Sequence, residues 1–276
     1  MKAEPAKLTT SVLMSVYAAD SPDKFLKAFC SITVNQTTSP DQVVLVVDGP
    51  VSLELQNAID QAVVRWDKTK LVRLEKNLGL GLALNRGLME CSADIIVRMD
   101  SDDVSRNIRI QTLLYAFKFG ADLDLVGSYI KEVYAKRQMI RRVPLEDSRI
   151  RTNSILQSPF NHVSVAFRRD TIVSLGGYRD LKLFEDYDLW LRLLAAKARV
   201  KNLDIVLVDV SMEEGALDRR RGWGYLKKEF TAIMLWSREG LIPKYAVLLR
   251  LAIALVVRLA PKPIFSTVYF AIRLFR

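Results

Sequence analysis

The feature that most constrains the fold is a series of short, mostly apolar segments, two of which end in an acid. Ser11–Tyr17 (SVLMSVY), Gln42–Asp48 (QVVLVVD) and Asp94–Asp100 (DIIVRMD) have strand length and no alternation, as expected of strands covered on both faces. Helix-spaced stretches separate them: Pro22–Gln36, Leu53–Trp66 and Gly79–Cys91, with a short strand expected at Leu71–Glu75. Strands alternating with helices imply an α/β fold, with a Rossmann-like, mostly parallel sheet flanked by helices. Ligands of such sheets gather beyond the carboxyl ends of the strands. Tyr17, Asp48, Glu75 and Asp100 all close strands, so one crevice is expected to hold them.

The second half reads less regularly. Arg106–Phe119 is expected to be helical, Leu123–Val133 extended, and Lys136–Pro144 a charged loop. Val163–Phe167 and Ile205–Val210 read as strands, and Tyr187–Lys197 and Trp223–Trp236 as helices. No repeat or low-complexity linker interrupts the chain, and residues 1–218 and 219–276 divide it most simply into a catalytic domain and an appendage. Half of the residues are hydrophobic, which fits a folded domain with a sizeable core. Met1–Lys7 is polar and the apolar run after it is too short for a signal core. Cys30 and Cys91 stand alone, so no disulfide frame is expected, and a reducing cytoplasm suits them.

The net charge of +10 lies entirely in the appendage. From Arg219 to Arg276 there are twelve Lys/Arg against two acids, Glu229 and Glu239. That segment is apolar as well as basic, which points to a membrane surface rather than to nucleic acid. Tyr245–Ala260 is interrupted by Arg250 and Arg258, and Pro261 and Pro263 separate it from a second apolar run, Ile264–Arg276. Neither reaches the roughly 20 residues of a spanning helix. The expectation is a peripheral helix pair whose arginines snorkel to headgroups, with helices packed on the domain as the alternative. Truncation after Gly240 is then expected to leave donor binding intact.

Three short motifs carry candidate chemistry. Asp100-Ser101-Asp102-Asp103 places three carboxylates in four residues, an arrangement that a divalent ion neutralises; a solvated, helix-capping loop is the alternative. Asn77-Leu78-Gly79-Leu80-Gly81 suits either a phosphate-cradling turn before a helix or a tight strand-to-helix turn, with Asn85 and Arg86 on the helix behind it. Glu185-Asp186, before a helix rich in Leu and Trp, suits a general base for a sugar hydroxyl or acids that complement a helix dipole. Phe184 and Trp190 offer apolar walls and a sugar-stacking face. His162, the only histidine, is a candidate acceptor contact or a structural residue.

In their order and spacing these pieces resemble family 2 glycosyltransferases of the GT-A fold over roughly Thr10 to Lys197. The stretches are MSVY, VVD, NLGLGLALNRGL, RMDSDD, NHVSVAFRR followed by GGY, and FEDYDLWLRL. With RRRGWGYLKKEF they are most similar to the bacterial exopolysaccharide and O-antigen transferases of the amylovoran type. The resemblance implies an inverting, metal-dependent transfer from a nucleotide-sugar to a glycan or polyprenyl-diphosphate-linked saccharide. The metal is Mg2+ or Mn2+. The UDP-sugar is favoured because Asp48 suits the N–H of uracil, an edge that thymine shares. It places Val16 and Tyr17 at the base, Asp100 at ribose or metal, Asp102 at the metal and Asp186 as base. Glu185, His162 and Trp190 fall on the acceptor side, and Asn77, Gly79, Asn85, Arg86, Ser101, Arg219 and Arg220 on the donor side. Many members read VDDGS where this chain reads Val47-Asp48-Gly49-Pro50, so a second acid is missing. A nucleotidyltransferase would need a Gly-rich loop after the first strand, and Tyr17-Ala-Ala-Asp-Ser-Pro has no glycine. A non-catalytic membrane-binding protein would be expected to have lost Asp102 or Asp186, and both are present.

Overall fold

The computed structural model describes residues 8–120, 122–135, 137–212, 220–261 and 265. Arg219 and all but Phe265 of the run from Ile264 lie outside the described residues. The first half follows the expected alternation: β1 (Thr10–Tyr17), α1 (Pro22–Ile32), β2 (Gln42–Asp48), α2 (Leu53–Arg65), β3 (Thr69–Leu74), α3 (Leu80–Glu90) and β4 (Ile95–Met99). These four strands are parallel, in the order β3-β2-β1-β4.

The second half is mixed rather than parallel. It comprises β5 (Val104–Ser105), α4 (Arg109–Phe119), β6 (Leu125–Val133), β7 (Gln138–Arg141), α5 (Asp147–Ser154), a 3-10 turn (His162–Ser164), β8 (Ala166–Arg168), α6 (Arg169–Ser174), α7 (Glu185–Ala195), β9 (Val200–Ser211), α8 (Gly222–Arg238) and α9 (Lys244–Leu259). Among the described residues nine strands form one sheet, continuing from β4 through β8, β6, β9 and β5, with β7 paired to β6. β8 runs antiparallel to β4 and β6, while β6 and β9 are parallel.

Both faces of the sheet are covered. Along β1, Val12, Met14 and Val16 enter the core shared with α1, α2 and α4, while Leu13 points to the opposite core under α3, α6 and α7. This double burial is why the strands read as mostly apolar runs. A third cluster joins Phe184, Tyr187 and Leu191 to Ala232, Ile233 and Trp236 of α8 and to Val247 and Leu251 of α9. Buried Asp188 ties the join, accepting from Trp236 Nε1 at 3.0 Å and from Arg192 Nε at 2.8 Å.

Three expectations change here. Lys136–Pro144 contains β7, which pairs with β6 from Gln138 to Arg141. Val163–Phe167 is a 3-10 turn followed by β8, and Asn161 and Ser164 bond to Ser128 to hold that turn against β6. Arg250 and Arg258 do not snorkel: α9 turns both inward. Among the described residues no helix is long and apolar enough to cross a membrane.

Candidate active site

The carboxyl ends of β1, β2 and β4 set the first side of the site. After Met99 the chain turns through Asp100–Asp103. Ser101 Oγ donates to Asp20 Oδ2 at 2.8 Å, and the same oxygen accepts from Tyr17 N at 3.0 Å, stitching the acidic turn to the end of β1. Burial, together with the neighbouring charges of Asp100 and Asp20, pushes Asp102 up to about 6. Burial and the charges of Asp100 and Asp102 push Asp103 up to about 8, and its Oδ1 accepts from Ser211 N at 2.9 Å. Burial and crowding thus favour the neutral forms of Asp102 and Asp103, a cost that a divalent cation would offset. Asp100 and Asp102, the two acids expected from the sequence to hold it, both lie on this turn. Among the described residues no group of three or more His, Cys, Asp or Glu side chains is arranged to hold a metal ion.

Arg98, buried in β4, ion-pairs with Asp100 from the core side. A charged residue inside DIIVRMD was the sequence signal for it. Arg109 supports it from below, its Nη2 donating to Arg98 O at 2.6 Å and Val163 O at 2.7 Å.

The start of α7 forms the other side. Leu183 sits at φ +77°, a strained conformation for a residue with a side chain, two residues before Glu185. Asp186 Oδ1 accepts from Tyr187 N at 2.7 Å. Burial raises Asp186 above its ordinary range, while Arg141, Arg98 and Arg220 pull it back. Burial, then the charge of Asp186, pushes Glu185 up to about 7, and its Oε2 is buried with no hydrogen-bond partner. Both acids line a cavity of ≈ 580 Å³ with Asp100, Asp103, His162 and Tyr225. His162 Nε2 lies 2.9 Å from the Tyr178 hydroxyl, and burial holds its pKa well below the usual range, so the ring is neutral.

Several expected donor contacts have other work. Asp48 accepts from Leu78 N at 2.7 Å and Gly79 N at 2.9 Å, and Asn77 Nδ2 donates to Asp48 O at 3.2 Å. The N–H groups that a phosphate would use therefore hold the end of β2. Gly49 has φ +88°, and a Cβ there would lie 2.6 Å from Asn77 N. No side chain fits, which accounts for the missing second acid. A Cβ on Gly81 would stand 3.1 Å from Glu185 Cβ, so the second glycine of this turn makes room for Glu185.

Asn85 bonds to both backbone groups of Tyr178 rather than to the crevice. Arg86 is exposed and does not line the cavity. The side chain of Val16 belongs to the core, whereas Tyr17 is half exposed at the strand end. Trp190 is fully buried and meets Phe160 edge-on at 5.4 Å, so it supports the wall behind His162 instead of stacking on a sugar. Among the cavity residues that the sequence does not single out, apart from Arg98, are Glu132, Arg141, Arg250, Arg258 and Tyr225. The three beyond β7 come from α8 and α9, in the segment whose basic, apolar composition sets it apart as an appendage.

The model for "Glycosyl transferase family 2" matches residues 11–174, more than half of the chain. The chain belongs to that family. It is 36% identical over 94% of its length to an Escherichia coli protein, and covers 94% of it. That protein is named UDP-Gal:alpha-D-GlcNAc-diphosphoundecaprenol beta-1,3-galactosyltransferase. It is 36% identical over 79% of its length to the amylovoran biosynthesis glycosyltransferase AmsE of Erwinia amylovora, covering 82% of that chain. Among solved structures, a mannosyltransferase from Pyrobaculum calidifontis in complex with GDP-Man and Mn2+ superposes with a TM-score of 0.63 at 16% identity, over 98% of this chain and 81% of that one. S. aureus TarS 1-349 in complex with UDP-GlcNAc gives 0.62 at 19% identity, over 82% and 66%. This family 2 glycosyltransferase thus has the GT-A architecture, and membership removes the nucleotidyltransferase alternative.

Proposed function

We propose that the chain transfers a sugar, with inversion, from a UDP-sugar to a saccharide carried on a polyprenyl diphosphate, in the synthesis of a bacterial surface polysaccharide. The carrying observation is that the Asp100–Asp103 turn and the Glu185–Asp186 pair, far apart in sequence, meet in one cavity. The names of the two bacterial relatives support the substrate classes.

Tyr17 is the proposed contact for the nucleobase, with Asp48 shaping that pocket through the Asn77–Gly79 turn. Asp100 and Asp102 would hold Mg2+ or Mn2+, which supplies charge to offset the departing diphosphate. Arg220, which lines the cavity, adds a cation to the same task, and Arg219 adjoins it in sequence. Asp186 takes the proton of the acceptor hydroxyl as the new bond forms on the face opposite the leaving group. Glu185 Oε2, buried and without a partner, orients that acceptor through a second hydroxyl. His162, neutral, supports the acceptor side with Tyr178.

Residues 1–218 supply the acids of this chemistry. Residues 219–276 complete the cavity and bind the cytoplasmic face of the membrane through the outer side of α9. Tyr245, Leu248, Leu249, Ile253 and Val256 are exposed there at helical spacing, on a segment that carries no acid after Glu239. A panel of nucleotide-sugars, with release of nucleoside diphosphate as readout, tests the donor. Turnover with GDP-sugars and none with UDP- or dTDP-sugars would overturn that part.

A further inference from the structure

The cavity holds a second chemistry that activation of a sugar hydroxyl does not require. Arg250 of α9 lines it and is only 6% exposed. Its Nη1 donates to Ile155 O at 2.9 Å and to the Tyr187 hydroxyl at 2.6 Å, and its guanidinium stands over the rings of Tyr187 and Trp236 at 4.8 and 4.9 Å. Among the described residues no carboxylate pairs with it. Arg258, the next arginine on the helix, differs: Glu229 takes its Nε at 2.8 Å. Arg141 of β7 lines the same cavity.

A buried cation held by a carbonyl, a hydroxyl and two rings is only partly compensated. A planar guanidinium fixed in that way suits a phosphate oxygen. Two diphosphates are available, the donor's and the acceptor's. The donor's belongs with Asp100 and Asp102 at the ends of β1, β2 and β4; Asp100 and Arg220 reach this cavity from that side, whereas Tyr17 and Asp102 do not line it. Arg250 comes instead from the helix whose opposite side is apolar and exposed. A lipid-diphosphate-saccharide needs those elements together: an apolar surface for the chain, a cation for the diphosphate and acids for the sugar. We propose that Arg250, with Arg141, forms the subsite for the diphosphate of a lipid-linked acceptor. The inference rests on reading the cavity as an acceptor site.

The test is titration of the full-length protein, saturated with UDP, by farnesyl diphosphate and by farnesol. The wild type should bind the diphosphate and not the alcohol. Arg250→Gln should weaken binding about 10- to 100-fold, as expected for loss of a charge-assisted hydrogen bond. Arg250→Lys should fall between. Arg141→Gln, at a less buried position, provides a second reading should Arg250→Gln fail to fold. Unchanged affinity in both glutamine variants, or competition between UDP and farnesyl diphosphate in the wild type, would overturn the proposal. A transfer assay separates it from the reading it rests on. With a sugar-diphosphate-alkyl acceptor and the matching alkyl glycoside, both variants should lose the preference for the diphosphate acceptor. Binding of farnesyl diphosphate with transfer to neither acceptor would sink the acceptor reading and leave the diphosphate subsite standing.

Discussion

Asp186 and Glu185 are adjacent yet differ in what surrounds their oxygens. Asp186 has one oxygen on its own helix and three arginines acting on its charge, whereas Glu185 keeps a buried oxygen with no partner. The assignment of the base to Asp186 predicts that Asp186→Asn binds donor normally and loses transfer by about 10²- to 10⁴-fold, the usual contribution of a general base. A comparable rise in donor KM would mark Asp186 as a binding residue. Because burial raises Asp186, the rate should climb with pH as its proton leaves, and the asparagine variant should lose that limb.

Glu185 bears on stability. Its carboxyl moves from 4.5 up to about 7 on folding, so across that window the folded chain keeps a proton that the unfolded chain has released. Stability is therefore highest below the window and falls as pH rises through it. Glu185→Gln should flatten that slope in urea denaturation and raise the midpoint above the window. Its unchanged midpoint there would show that Glu185 is not strained. The acids of this site were legible because charge directly after a buried strand, or before an apolar helix, is conspicuous. Their partners were not. Asp48 reads as a ligand contact in VVD, and only the fold shows that Leu78 and Gly79 already use it.

At the scale of elements, legibility followed burial. β1, β2 and β4 are covered on both faces, so their sequences are mostly apolar runs with visible ends. β7, an edge strand with exposed positions, and α5, which is almost wholly polar, carry no such pattern, and the two-residue β5 is too short to show one. Parallel order was readable in the first half because helices separate the strands. In the second half the neighbours are decided by long-range pairing, as β8 shows by sitting between β4 and β6. The join between β2 and the turn before α3 gives a test at this scale. Gly49→Ala puts a Cβ 2.6 Å from the backbone of Asn77 in a left-handed conformation. Neither neighbour is a flexible side chain, so about 1–3 kcal/mol of stability should be lost, measured as a lower denaturant midpoint. Donor affinity should fall as well, because the turn that Asp48 holds must move. A wild-type midpoint would show that the turn gives way freely.

The whole molecule is less divisible than its composition suggests. The change to a basic, apolar chain at Arg219 is real, but α8 and α9 pack on α7, and Arg250 reaches Tyr187, next to the proposed base. Truncation after Gly240 would remove that bond and uncover Trp236 and Ile233, so the structure argues against a stable shortened enzyme. What remains on the outside of α9 is an apolar face with Lys244 in its first turn. Leu248 is 74% exposed and Val256 72%, and the two lie two helical turns apart on one side. The helix turns Arg250 and Arg258 inward, so attraction to a bilayer has to come from apolar burial, at about 25 cal/mol per Å² removed from water. Basic residues that follow, Lys262, Arg273 and Arg276, add attraction to anionic headgroups. The double variant Leu248→Glu with Val256→Glu should therefore abolish co-sedimentation with anionic vesicles. Neither side chain lines the cavity, so turnover on a short-chain, water-soluble acceptor should persist, and turnover on a long-chain acceptor in vesicles should fall. Vesicle binding that survives the double variant and disappears only at high salt would place the membrane contact in the basic tail instead of on α9.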